Sequence, residues 1–318
     1  TTLAIMKLFE EKKIQLETPL KTYLPQLQET NVGETNFARI LTHSAGFPSF
    51  IPFYKNTLQN NSPSTEYYAT QPDSVHTIEV AHNLYLRKDY KDSIIKKIVT
   101  IKLNPNQGYK YSDLGMIMLG YLIENLTKKP LDEYVDEVFY KPLGLNHFGF
   151  CRKKWYPLER IVPTERDTIF RKQLIHGYVH DQTAAMLGGV AGHAGLFGNA
   201  YNLAVIMQML LNGGTYRNIR FLESETIRRF TSTYYDKNYR GLGFDKPNMH
   251  GDVTPLASPS SFGHSGFTGT FAWADPQHEL IFVFLSNRVY PSADNWKITK
   301  TNLRTKIHEY LYKAIQVN

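Results

Sequence analysis

The chain of 318 residues is 42% apolar, 20% charged and 13% aromatic, with 21 Tyr, 18 Phe and a formal net charge of +7. This composition excludes a disordered chain and a coiled coil, and no run approaches the roughly 20 apolar residues of a membrane-spanning helix. The densest basic run, Arg87 to Lys102, carries its own Asp89 and Asp92, so the charge reads as solvated surface and no nucleic-acid partner is expected.

The opening stretch TTLAIMKLFEEKKI has apolar residues at 3, 5, 6, 8 and 9, a spacing that predicts a helix over 2–13. It has no initiator Met and no leader, and we expect a chain cut from a longer protein. Further helices are expected over 36–43, 75–99, 112–128, 131–139, 199–212 and 222–232, with a Gly213-Gly214 turn between the last two and Ser112 or Asp113 as the cap of the fourth. After Tyr239 the pattern changes. RGLGF, SSFGHSG, GTFAWAD and LIFVFLSN are short β-rich runs separated by turn residues, an antiparallel meander, and a helix over 296–315 is expected to cover one of its faces. The expected fold class is α+β: one domain over 1–318, a mostly helical region over about 15–240, and a sheet-and-helix region made of about 240–318 with 1–14. The sheet's remaining strands are expected upstream of Thr1.

Cys151 is the single cysteine, so an internal disulfide and a cysteine-based metal cluster are excluded. His176 and His180 stand four apart, a spacing able to bind zinc on a helix, but Gly177 weakens the helix and the Glu of His-Glu-x-x-His is absent. We expect no metal and no cofactor there: His176, His180 and His193, with Asp181, are expected to be structural and to line a cleft, and Arg171 is expected to pair with Asp181 as a brace. Tyr111, just before a helix with a buried stripe of Leu114, Ile117, Met118 and Tyr121, taken alone reads as a buried ring with a satisfied hydroxyl.

Tyr111 does not stand alone. ILTHSAGFPS (40–49), YSDLGMIMLGYLIE (111–124), GGVAGHAGLFGNAYNLAVIMQMLLNGG (188–214), GLGF (241–244) and GHSGFTGTFAWADP (263–276) occur in this order and spacing. Together they resemble the serine hydrolases related to class C β-lactamases and penicillin-binding proteins, over nearly the whole chain. The resemblance implies a β-lactamase/transpeptidase-like fold, an antiparallel sheet flanked by helices with a mostly helical subdomain. In that family a nucleophilic Ser lies three residues before a Lys, a Tyr-x-Asn motif sits in the helical part, and Lys-Thr-Gly or His-x-Gly lies on an edge strand.

The resemblance places Tyr111 at the Tyr of Tyr-x-Asn, Ser112 in its middle and Asp113 where Asn is usual. His264, Ser265 and Gly266 match His-x-Gly, and Phe267 N–H would be one of two oxyanion donors. Ser-x-x-Lys is expected shortly before Thr1. The formal match Ser93-Ile94-Ile95-Lys96 stands at the wrong point in the motif order, and Ser44 in THSAG lacks the first glycine and the preceding strand of a nucleophile elbow. A serine needs a base, and Tyr111 is expected to serve as a tyrosinate if cations lower its pKa, with the lysine held as an ammonium ion by Asp113. A neutral His264 in place of Lys makes β-lactam hydrolysis less expected than hydrolysis of esters, amides or D-amino-acid peptides.

The implied substrate is a small molecule or a peptide, and the implied setting is the periplasm or cell envelope after export. A glycoside hydrolase domain of the family 3 type upstream in the same polypeptide would suit the cut start. The alternative is a catalytically inactive module that binds a cell-wall fragment without cleaving it.

Overall fold

The computed structural model describes residues 1–104, 108–236, 238–247 and 253–316. Helix α1 (Thr2–Glu10) turns Ala4, Ile5, Met6 and Leu8 into the core and stops before Lys12, whose φ of +56° is incompatible with a continuing helix. Helix α2 (Phe37–Leu41) is capped by the Asn36 side chain, which accepts the Arg39 N–H at 2.9 Å. A short hairpin follows, β1 (Leu58–Gln59) with β2 (Ser62–Pro63), then β3 (Tyr68–Ala69), β4 (His76–Ala81) and β5 (Leu84–Arg87), arranged β3-β5-β4 and antiparallel.

Here the expectation of one helix over 75–99 is corrected. HTIEVA and LYLR are β-rich runs joined through Asn83 at φ +52°, so 76–87 is a hairpin, and helix α3 (Tyr90–Val99) starts only after it. Helix α4 (Asp113–Thr127) is capped by Ser112, whose side chain accepts the Leu114 N–H, and is closed by Lys128 in the left-handed region. The helix expected over 131–139 divides into α5 (Leu131–Val135) and a π turn, Asp136–Tyr140.

Next come β6 (Gly149–Phe150), β7 (Pro163–Arg166), β8 (Leu174–His176), α6 (Gln182–Met186), β9 (Leu196–Phe197), α7 (Ala200–Leu211), β10 (Thr215–Tyr216), β11 (Ile219–Arg220) and α8 (Ser224–Thr231). Strand β6 pairs with β9, β7 with β8 and β10 with β11. Within 15–240 the helices are interleaved with strand pairs too short to leave a period-2 signature.

Strands β12 (Phe262–Ser265), β13 (Phe271–Asp275) and β14 (Leu280–Phe284) form the expected meander, with His264 opposite Ala272 and Trp273 opposite Phe282. Alternation assigns the two faces. Ala272, Ala274 and Ile281 join the main core, on the side where α7 packs. Phe271, Trp273 and Phe282 form a second cluster with Ile307 and Leu311 of the last helix, α10 (Leu303–Gln316), which follows the short α9 (Lys297–Lys300). Gly263 is required because a Cβ there would collide with the Trp273 ring and the Ala272 carbonyl. RGLGF is a loop rather than a strand; Phe244 packs on Phe262 of β12, and Asp245, just after the loop, bridges to Gly263.

Candidate active site

The loop after α2 cradles the Tyr-Ser-Asp segment. The Lys110 N–H donates to the His43 carbonyl at 2.9 Å, and the Ser112 N–H donates to His43 Nδ1 at 3.2 Å. Ser112 Oγ donates to the Pro48 carbonyl at 2.6 Å, and the Asp113 N–H to the Ser49 carbonyl at 2.9 Å. Because His43 Nδ1 accepts, its neutral ring carries the proton on Nε2. Burial, with Arg240 and His264 nearby, pushes the His43 pKa well below the usual imidazole range. The neutral ring stacks on Tyr111 at 4.3 Å between centroids. THSAGFPS is thus the mount for YSD, a relation that sequence order alone does not reveal.

Tyr111 is 43% exposed and faces His264 across 6.0 Å between ring centroids. His264 Nδ1 donates to the Ser265 carbonyl at 2.7 Å, and its Nε2 lies 3.9 Å from Asp245 Oδ1. Asp245 is ion-paired with the buried Arg240. Burial and the Asp113 and Asp245 carboxylates push the Tyr111 hydroxyl up, against the opposing effect of Arg240. Among the described residues burial and the carboxylates outweigh the Arg240 guanidinium, and the lysine expected before Thr1 is not one of them.

Beyond Ser265 the edge of β12 runs into a tight turn. The Gly266 N–H donates to the Thr270 carbonyl at 2.8 Å, whereas the Phe267 N–H meets no hydrogen-bond acceptor among the described residues. The Phe267 carbonyl accepts from Arg288 Nε at 2.7 Å, and the Arg288 guanidinium lies over the Phe267 and Trp296 rings at 4.3 and 3.8 Å. This fixes the turn and leaves Phe267 N–H available.

On the other side of Tyr111, Asp113 lines a recess of about 110 Å³ with Asp181, Gln182, Thr183, His193, Phe50 and Tyr54. Close approach of glycines makes this possible: a Cβ on Gly192 would collide with the Met116 carbonyl, so only glycine lets the loop carrying His193 lie against α4. Burial raises the Asp113 pKa, with Asp181 adding to the effect and His193 opposing it.

Several expected relations are different in the structure. Arg171 does not pair with Asp181; its buried guanidinium binds Asp167 at 2.8 Å and Glu165 at 3.0 Å and donates to the Val179 and His180 carbonyls, while Asp181 caps α6 and binds His193. His176 lies on strand β8 rather than on a helix with His180, and no cluster able to hold a metal occurs among the described residues. Ser93 and Lys96 are exposed on α3, and Ser44 Oγ lies 2.9 Å from Thr42 Oγ1 at the end of α2. Asp181 and His193 belong to the cluster expected to line the cleft, but neither their pairing nor the part played by His43, Arg240 and Asp245 is evident from the sequence.

Among the described residues no helix is long and apolar enough to cross a membrane. A relative in Escherichia coli (strain K12) that bears the name D-alanyl-D-alanine carboxypeptidase is 33% identical over 320 aligned residues, spanning 93% of this chain and 68% of that protein. A like-named protein of Salmonella agona (strain SL483) is 32% identical over 94% of this chain and 69% of its own. Among solved structures, a penicillin-binding protein homologue from Caulobacter crescentus superposes with a TM-score of 0.66 at 16% identity, covering 98% of this chain and 80% of that one. EstA from Arthrobacter nitroguajacolicus Rue61a superposes with a TM-score of 0.62 at 17% identity, covering 99% and 82%. These likenesses show the β-lactamase/transpeptidase-like α+β fold. With the Beta-lactamase family model matching residues 1–300 as well, the chain belongs to the β-lactamase family of serine hydrolases and penicillin-binding-protein-like enzymes.

Proposed function

We propose that residues 1–318 are the body of a serine acyl hydrolase that works through an acyl-enzyme on D-amino-acid peptides, or on amides or esters of similar shape, in the cell envelope. The observation that carries this reading is the convergence of Tyr111, mounted on His43, with the β12 edge whose Phe267 N–H is unengaged. The scissile carbonyl is assigned to the gap between them, with a nucleophile on the Tyr111 side and an oxyanion donor on the other. The nucleophile is assigned to a Ser-x-x-Lys preceding Thr1, because the sole match within the sequence, Ser93 to Lys96, is exposed on α3 away from these groups.

In this reading the lysine ammonium sits beside Asp113, neutralises the carboxylate that helps raise the Tyr111 hydroxyl, and brings tyrosinate within reach. Tyrosinate takes the serine proton as Oγ attacks the carbonyl. The resulting oxyanion is held by Phe267 N–H, and the proton passes to the departing amine or alkoxide. Water then repeats the sequence on the acyl-enzyme, releasing the acid. The relatives' shared name is what favours D-alanyl-D-alanine-type peptides among the substrates.

The test is intact-mass analysis after treatment with a fluorophosphonate, on this chain and on a polypeptide extended upstream by about 60 native residues, long enough to restore a missing strand pair and helix turn. The expected result is one adduct on the extended polypeptide, at a serine just before Thr1. Labelling of neither favours the binding-module alternative, and labelling at Ser93 or Ser44 overturns the residue assignment.

A further inference from the structure

Asp113, Asp181 and His193 come from the first turn of α4, the cap of α6 and the glycine-rich loop before β9, and they meet at one recess. The His193 side chain is only 4% exposed. Its Nε2 donates to Asp181 Oδ1 at 2.8 Å, while its Nδ1 is buried without a hydrogen-bond partner. The Asp113 carboxylate likewise receives no hydrogen bond from the described residues. A buried ring nitrogen left unpaired is costly unless something in the recess answers it. The recess, at about 110 Å³, has room for at least one water between the two side chains.

The charges favour one partner. Burial alone would drive the His193 proton off, yet its pKa is raised, because the hydrogen bond and charge of Asp181 and then the charge of Asp113 outweigh desolvation. Asp181 is in turn held below the usual carboxylate range, against its burial, by His193 and by the Ala184 N–H, with His180 adding a smaller effect. Capping α6 already gives Asp181 a structural role that needs no imidazolium. The unpartnered Nδ1 of His193 is the unexplained feature, and Asp113 is the remaining carboxylate whose charge the ring feels.

We propose that His193 is a positioning residue for Asp113: anchored by Asp181, it presents its second ring N–H to the Asp113 carboxylate, directly or through one water, and keeps that group ionised and oriented beside Tyr111. One imidazolium between two carboxylates leaves a net negative charge at the recess, the state in which Asp113 can hold a cation. The catalytic meaning of this arrangement rests on the reading of Tyr111 given above; the coupling itself does not.

The test uses this chain labelled with 15N-histidine, followed from pH 5 to 9 by long-range 1H–15N spectra, with the His193 signal assigned by His193→Gln. If that variant fails to fold, the signal is assigned by its response to Asp181→Asn. His193 is expected to keep both ring protons past the ordinary histidine midpoint of about 6.5, and Asp113→Asn to lower its midpoint by about half a unit or more. A His193 that is neutral at pH 7, or one that ignores Asp113→Asn, overturns the proposal. On a polypeptide that the fluorophosphonate labels, His193→Gln should shift the acid limb of the labelling rate upward by about half a unit or more, because Asp113 then ionises at higher pH. An unshifted limb overturns the positioning role. A raised His193 midpoint that responds to Asp113→Asn, without any labelling, would overturn the hydrolase reading and leave the coupling intact.

Discussion

Two acidic centres in this protein, one fully buried and one partly buried, look alike in composition and differ in how completely they are satisfied. At the sheet, Asp275 is fully buried and accepts from Ser258 N–H at 2.8 Å, Ser258 Oγ at 2.6 Å, Tyr312 Oη at 2.6 Å, His278 Nδ1 at 3.0 Å and Gln277 N–H at 3.0 Å. Burial opposes its ionisation, yet these bonds bring its pKa down to about 2. At the recess, Asp113 has no such donors, and burial raises its pKa. A carboxylate whose lone pairs are all occupied ties α10 to the sheet and can do little else. One left open retains the capacity to meet a group that arrives, which is how a functional carboxylate is distinguished from a structural one.

The comparison can be broken experimentally, and the largest expected effect is on activity. In a polypeptide that carries the nucleophile, Tyr111→Phe should reduce turnover by about 10²–10⁴-fold, the usual contribution of a proton-transfer group, with thermal stability nearly unchanged. Retention of most turnover would remove Tyr111 from the chemistry. On stability, Asp275→Asn should cost about 2–4 kcal/mol in urea unfolding, because an amide cannot accept from all of those donors. A loss of only a few tenths would mean the Asp275 cluster is not the tie it is taken to be.

The pH dependence separates the same two regions. His308, buried among Phe271, Phe282 and Tyr312 with neither ring nitrogen paired, has its pKa lowered by burial from 6.5 to about 4. The unfolded chain therefore binds this proton first, so stability is full above pH 6.5 and falls as pH drops toward 4, by about 3 kcal/mol at most. His308→Leu should flatten that stretch of the unfolding profile. A profile left unchanged would mean the ring does not remain neutral in the folded state. The smallest effect is expected for Asp113→Asn, within about 1 kcal/mol of the parent and of either sign, since an amide oxygen can still accept what His193 presents. A cost equal to that of Asp275→Asn would erase the distinction.

Local features carried much of this arrangement into the sequence. YSD followed by an apolar stripe announces a capped helix with a tyrosine at its mouth, because capping and burial periodicity act within a few residues. FGHSG, GTFAWAD and LIFVFLSN announce the meander, because alternation and turn glycines are local as well. The segment 76–87 suits a helix as well as a hairpin in sequence, because its apolar residues fit both periods over so short a span, and only the turn at Asn83 decides between them.

What the tertiary structure alone decided is which distant groups share a site. His43 reaches Ser112 across 69 residues, and Phe267 meets Arg288 across 21, contacts that no periodicity encodes. The state of Tyr111 was likewise undetermined by its own motif, since it depends on burial and on the balance of Asp113, Asp245 and Arg240 charges brought together by folding. The sequence by itself determined the elements and the chemical types at the cleft, because propensity, capping and side-chain chemistry belong to each residue. Protonation, pairing and reach belong to the environment, because electrostatic energies depend on distance and desolvation, and those exist only once the chain has folded.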